Sequence, residues 1–164
     1  MIFVTVGTHE QQFNRLIKKI DTLASRKIIK ENVFIQTGFS DYIPKNCQWS
    51  QWLSYGEVEK KISEAHIVIT HGGPSSFIMP LQKGKIPIVV PRSHEYNEHV
   101  NNHQLSFVKF VAERRKNIIP IYDVDDIELA IVNYDKISSE MNNEFWSNNK
   151  KFTEDFEKII EDMF

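Results

Sequence analysis

The chain has 164 residues, 41% hydrophobic and 26% charged, which suits one soluble globular α/β domain and is short for two. Its 20 Lys and Arg against 22 Asp and Glu leave a formal charge of −2, so no bulk field favours nucleic acid as a partner. Cys47 is the single cysteine, which rules out an internal disulfide and suits a reducing cytoplasm; with no Cys–His motif around it, it reads as a structural or surface residue and not a nucleophile.

No apolar run approaches the roughly 20 residues that span a bilayer, so any contact with lipid is expected to be peripheral or borrowed from a partner. Residues 2–6 lack the basic flank of a signal peptide and read as a first strand, closed by Gly7 and Thr8. Phe13, Leu16, Ile17, Ile20 and Leu23 recur at helical spacing, which predicts a helix over 12–23. Residues 33–36 form a second strand before Thr37 and Gly38. Residues 49–53 hold either a short strand or an irregular apolar stretch, and 57–65 read as a helix. A third clear strand, 66–70, runs straight into His71-Gly72-Gly73-Pro74-Ser75-Ser76, and a helix over 75–82 stops at Gly84. Residues 86–90 are a fourth strand, 98–114 a helix, 118–122 a weak last strand, and 124–132 a helix that Asp123 or Asp125 caps. Strands alternating with helices imply a mostly parallel, Rossmann-like sheet covered on both faces. Residues 1–136 are assigned to this domain. Residues 137–164 are assigned to a polar stretch and an amphipathic helical tail from Glu144 to Phe164.

In an open parallel sheet, ligands bind outside the carboxyl ends of the strands. The glycine-rich and polar residues of this chain gather at those ends. The densest group is the turn from His71 to Ser76, lying between a buried strand and a helix start. Glycines admit a close ligand, and a helix start offers unpaired N–H groups and positive dipole to a phosphate. The same residues also suit a tight turn with Ser75 as helix cap and no ligand, and the turn alone does not decide between them. No GxGxxG follows the first strand and no GxxxxGK[ST] occurs, so neither a dinucleotide fingerprint nor a P-loop is supported. His99 and His103 are four apart and would share a helix face as a metal pair, but no convincing set of carboxylates joins them.

Taken together, residues 67–73 (Ile-Val-Ile-Thr-His-Gly-Gly), 84–91 (Gly-Lys-Ile-Pro-Ile-Val-Val-Pro) and 101–104 (Asn-Asn-His-Gln) resemble the C-terminal donor domain of GT-B glycosyltransferases. With the opening 3–8 (Phe-Val-Thr-Val-Gly-Thr), they resemble most the small catalytic subunits of split enzymes. These are the subunit that extends dolichyl-diphosphate-GlcNAc and the bacterial capsule and exopolysaccharide galactosyl- or glucuronosyltransferase subunits. The resemblance covers about residues 1–122. It implies a UDP-sugar donor, an inverting transfer, and no metal or other cofactor. It places Gly7, Thr8, His71, Gly72, Gly73, Pro74, Ser75 and Ser76 at the diphosphate, and Asn102, His103 and Gln104 at the donor sugar. The nucleoside would lie near Leu53, Tyr55, Met79 and Glu95. One departure stands out: Met79 and Pro80 occupy the place where related domains carry a ribose-binding Glu, which leaves Glu95 or Glu98 to take that part.

Glycosyl transfer also needs the acceptor hydroxyl in line and a base for its proton. One domain supplies half of this. The resemblance therefore implies a membrane-anchored partner subunit that binds the lipid-linked saccharide acceptor and carries the base. It also implies a cytoplasmic chain, recruited to the inner face of the plasma membrane through that partner. Should the base be on this chain, Glu98, His99 and His9 are its candidates. The expected reaction is hexosyl transfer, galactose favoured and β-1,4-like. The alternatives from other classes are a non-catalytic enhancer of a partner transferase and a UDP-sugar epimerase-like enzyme. The aromatic tail, with Trp146, Phe152, Phe156 and Phe164, packs on its own sheet, docks on the partner or lies on the membrane.

Overall fold

The computed structural model describes residues 1–141. The elements run β1 (Ile2–Thr5), α1 (Asn14–Ser25), β2 (Val33–Gln36), β3 (Gln48–Ser50), α2 (Tyr55–Glu64), β4 (Ile67–His71), α3 (Pro74–Gln82) and β5 (Ile88–Val90). After these come α4 (His103–Arg115), β6 (Ile119–Pro120), α5 (Ile127–Val132) and α6 (Tyr134–Glu140). The six strands pair in parallel in the order β3-β2-β1-β4-β5-β6.

Alternation within the strands divides the core between the two faces of the sheet. Ile2 and Val4 of β1 pack with Leu16, Ile17 and Ile20 of α1 in the larger cluster. Phe3 and Val68 turn the other way onto Ile62 of α2. The sheet is thus covered on both sides, as the alternating pattern predicts. The chain builds outward from β1 to β2 and β3, then returns to place β4 on the other side of β1. That reversal opens a crevice at the carboxyl ends of β1 and β4, where parallel sheets take ligands.

Local chemistry explains several element ends. Ser54 and Glu57 form a reciprocal capping box that starts α2 at Tyr55, two residues before the expected point. Pro74 opens α3, where its missing N–H is not needed. Asp123, not Asp125, accepts the N–H that caps the turn leading into α5. The helix expected over 98–114 starts only at His103. The chain before it coils through a short 3-10 turn, His94–Tyr96, and reverses at Asn97 in left-handed geometry. Helix α6 runs across the position where the tail was expected to begin, and Tyr134 is buried with its hydroxyl on the Ile86 carbonyl. The aromatic helix expected over 144–164 lies outside the described residues. Among the described residues, no helix is long and apolar enough to cross a membrane.

Candidate functional site

A cleft of about 540 Å³ opens at the topological reversal. Gly7, Thr8 and His9 of the loop after β1, with His71 at the end of β4 and Ser75 and Ser76 in the first turn of α3, form its polar end. Leu53, Tyr55, Val58, Ile62 and Met79 form its apolar end, and Thr5 and Gln36, paired at the ends of β1 and β2, also line the cleft. A volume of this size, with one apolar and one polar end, suits a ligand that is itself divided that way.

His71 organises the polar end. Its ring lies so close to two glycines that a Cβ on Gly7 would sit 2.4 Å from Nε2 and one on Gly73 would sit 2.3 Å from Cε1. Gly7 also has φ +72°, which a side chain would strain. The Gly73 N–H donates to Nδ1 at 3.0 Å, so the proton of the neutral ring sits on Nε2 and faces Ser76 Oγ at 2.7 Å. Burial, reinforced by the charge of Arg92, pushes the His71 pKa down to about 3, so the ring is neutral at physiological pH. His71 was expected to offer its ring N–H to phosphate. Instead it spends that N–H on Ser76, leaving the Ser76 hydroxyl proton to donate into the cleft.

The glycine turn differs from the simple amide cradle that its sequence suggests. The Gly72 N–H goes to Gln104 Oε1 at 3.1 Å, and the Ser76 N–H goes to the Gly73 carbonyl at 3.0 Å. Pro74 has no N–H, which leaves the Ser75 amide uncommitted among the described residues. Gly72 is small for packing: a Cβ there would lie 2.9 Å from Val108 of α4.

Arg92 holds the first loop in place from below. It is fully buried, and its guanidinium donates to the carbonyls of Val6, Gln11, Gln12 and Glu98 at 2.8–3.1 Å. Its plane lies over the Phe13 ring at 4.9 Å. Burial pulls its pKa down to about 10, still far above neutrality, so it remains a cation beneath the cleft. The buried Glu98 carboxylate balances charge here, pairing with Arg15 at 2.9 Å and accepting the Ser93 N–H.

The groups expected at the sugar and the ribose are placed otherwise. Gln104 is buried, and its Oε1 clamps the Gly72 and Arg92 amides, tying the exits of β4 and β5 together. Asn102 is exposed and accepts the His94 N–H at 2.9 Å, and His103 is exposed at the start of α4. None of the three lines the cleft, nor do Glu95, which is exposed, and Glu98, which is sealed in its ion pair. Glu98 is therefore neither ribose ligand nor base: a carboxylate buried against Arg15 has no route to an acceptor proton. His9 lines the cleft and meets His99 ring to ring at 4.6 Å. Its Nδ1 takes the Gln11 N–H, which keeps the proton on Nε2, and His99 is tied in the same way to the Asn101 N–H. Both rings thus present a donor, where a base needs a free lone pair. Burial, then the nearby Arg92 charge, lowers the His9 pKa and keeps that ring neutral. Because α4 starts at His103, His99 and His103 share no helix face, and among the described residues no cluster could hold a metal ion.

With this geometry in view, comparison with known proteins decides the family. The model of the glycosyltransferase family 28 C-terminal domain matches residues 1–162. The chain belongs to that family. Two solved structures are similar to this family 28 domain. The glycosyltransferase SnogD from Streptomyces nogalater, 17% identical, covers 92% of this chain and 43% of its own, with a TM-score of 0.45. CalG4, the calicheamicin glycosyltransferase, 15% identical, covers 85% of this chain and 34% of its own, with a TM-score of 0.51. The chain spans less than half the length of either enzyme. The CalG4 likeness agrees with the fold described above. No curated protein matches the sequence.

In this family 28 domain, Gly7, Thr8, His71, Ser75, Ser76, Leu53, Tyr55 and Met79 line one cleft, and Gly72, Gly73, Pro74 and Glu95 do not. Sequence reasoning missed Thr5, Gln36, Val58 and Ile62 in the cleft and Arg92 beneath it. A signal for two of them was present. Thr5 and Gln36 are polar residues at the last position of otherwise apolar strands, each followed within two residues by a glycine at positive φ.

Proposed function

We propose that the chain is the UDP-sugar-binding catalytic subunit of a two-component inverting glycosyltransferase. It would transfer a hexose, galactose favoured, to a lipid-diphosphate-linked saccharide in capsule or exopolysaccharide synthesis. The observation that carries this reading is the two-ended cleft at the switch point. The Ser75 amide, the Ser76 hydroxyl and the His9 ring N–H gather as donors at one end, and an apolar slot forms the other. A leaving nucleoside diphosphate gains charge as the glycosyl bond breaks, and preorganised donors stabilise that charge most in the transition state. The buried Arg92 cation adds to the same field from below.

The partner is part of the proposal. The described residues form one lobe, and neither Glu98, His9 nor His99 is free to act as a base. A membrane-anchored subunit carrying the lipid-linked acceptor and the base would complete the reaction and hold this chain at the inner face of the membrane. Phosphate charge is met by N–H and O–H donors, so the reaction is proposed to need no metal. The test is a titration of UDP-sugars against the chain alone and with its partner. A radiolabelled UDP-sugar panel on lipid-linked acceptor follows. We expect UDP binding by the chain alone and transfer only in the presence of both subunits. Transfer stimulated by a chain that binds no UDP in either state would instead mark an enhancer, and turnover without acceptor would mark an epimerase-like enzyme.

A further inference from the structure

Thr5 and Gln36 sit opposite each other in the register of β1 and β2, at the floor of the cleft. The Gly7 N–H donates to Thr5 Oγ1 at 3.2 Å, and Thr5 Oγ1 lies 2.6 Å from Gln36 Oε1. Since the hydroxyl already accepts from Gly7, its own proton goes to the Gln36 carbonyl oxygen. A flipped amide would set the NH₂ against that hydroxyl and leave the hydroxyl proton without an acceptor. The chain of bonds from Gly7 through Thr5 thus fixes the carboxamide, with Nε2 turned away from Thr5.

That Nε2 has no protein partner among the described residues, although Gln36 is only 3% exposed. Nor is the atom among the buried polar atoms sealed from solvent, and Gln36 lines the cleft. A nearly buried donor that opens only on the cleft and has no protein partner is one that a ligand oxygen can take in place of water. Its place in the sheet says which part of the ligand this is. The phosphate turn follows β4, on one side of β1; Gln36 ends β2, on the other side, next to β3 and the chain leading to Leu53 and α2. The neighbouring end of the cleft is the apolar slot.

We propose that Gln36 binds the nucleoside end of the donor by giving a carboxamide N–H to an oxygen of the base or ribose, and that Thr5 is the positioning residue that aims it. This rests on the nucleotide-sugar reading above and adds to it a determinant at the end that the expected carboxylates do not reach.

The experiment compares Thr5→Val, Gln36→Leu and the double variant for binding of UDP by calorimetry and of uridine by NMR titration. Thermal unfolding of each is followed in parallel. Gln36→Leu is expected to weaken UDP and uridine alike, by about tenfold. Thr5→Val is expected to weaken both by less, and to have no further effect in the Gln36→Leu background. The double variant replaces the bonded pair by two apolar groups and leaves only the partly buried Gly7 N–H without its acceptor, so it is expected to fold with a modest loss of thermal stability. Thr5→Ser keeps the hydroxyl and is expected to bind UDP as the original chain does. A folded double variant that binds UDP undiminished overturns the proposal, and so do additive losses from the two single changes. A fall in UDP binding with unchanged uridine binding assigns Gln36 to the phosphates and overturns the nucleoside assignment. Should the double variant fail to fold, Thr5→Ser and Thr5→Val decide, and equal affinities overturn the positioning role. An original chain that binds neither UDP nor uridine overturns the nucleotide-sugar reading, and this inference with it.

Discussion

A histidine stands just before strand β4 and another is its last residue, and the two ends of the sheet shift their pKa values in opposite directions. His66, just before the strand, has Nδ1 at 2.7 Å from Glu31 and Nε2 at 2.7 Å from Asp135. With carboxylates on both sides, both nitrogens donate, and those hydrogen bonds raise its pKa above the ordinary histidine value. His71, five positions on, is buried between two glycines beside a buried arginine and stays neutral. The amino end of the sheet favours the charged ring, which ties the start of β4 to Glu31 before β2 and to Asp135 of α6, in a place where water screens it. The carboxyl end keeps its histidine uncharged and uses it for geometry, directing one hydroxyl. The difference teaches that a residue type in a sequence does not carry a role; its acceptors do.

The comparison breaks most severely at the glycines around His71. Gly7→Ala is expected to cost about 3 kcal/mol in stability, from left-handed backbone strain and a Cβ driven into the ring. Denaturant unfolding measures this, and a loss below the error of the fit would show that the ring yields freely. Next in size is Ser76→Ala, which removes the hydroxyl that His71 directs. On the proposed function, transfer by the chain with its partner should fall about 10²-fold with the fold intact, and His71→Ala should match it, since both break one relay. A Ser76→Ala enzyme at full rate with limiting donor would place the phosphate elsewhere.

The smallest effect belongs to the other end, where pH sharpens the contrast. His66 has a raised folded pKa, so its stabilisation is fully present below about 6.5 and disappears as pH rises through the raised value. For His71 the sign is reversed: its stabilisation is present above about 6.5 and is lost as pH falls toward 3. His66→Gln should therefore lower the melting temperature at pH 6 and leave it unchanged at pH 9. Because the ring is 43% exposed, the deficit at pH 6 should stay under about 1 kcal/mol. A deficit that grows with pH would reverse the assigned protonation.

The strand and helix alternation was legible because β-branched runs and glycines mark it locally. The turn from His71 to Ser76 was legible for the same reason, and so was the gathering of polar residues at strand ends. What could not be read was where each donor and acceptor is used. Gly72 looks like a phosphate glycine until Gln104, 32 residues later, takes its N–H. Glu98 looks like a helical carboxylate free to bind ribose until Arg15, from α1, claims it in the coil before α4. Thr5 and Gln36 look like strand ends until the parallel register sets them face to face. These are all long-range partners, and spacing along a chain does not report them. Cys47 is the converse case: burial, with Asp21 nearby, pushes its thiol up to about 12, which agrees with the unreactive role read from its isolation.

Arg92 has a consequence for how the ligand arrives. The loop between β1 and α1 has no regular structure, yet one planar cation secures carbonyls at both of its ends. A loop tied down beforehand surrenders little conformational entropy when it meets a substrate. Capture should then proceed nearly as a rigid encounter, its rate set by diffusion and orientation and not by the closing of a flap.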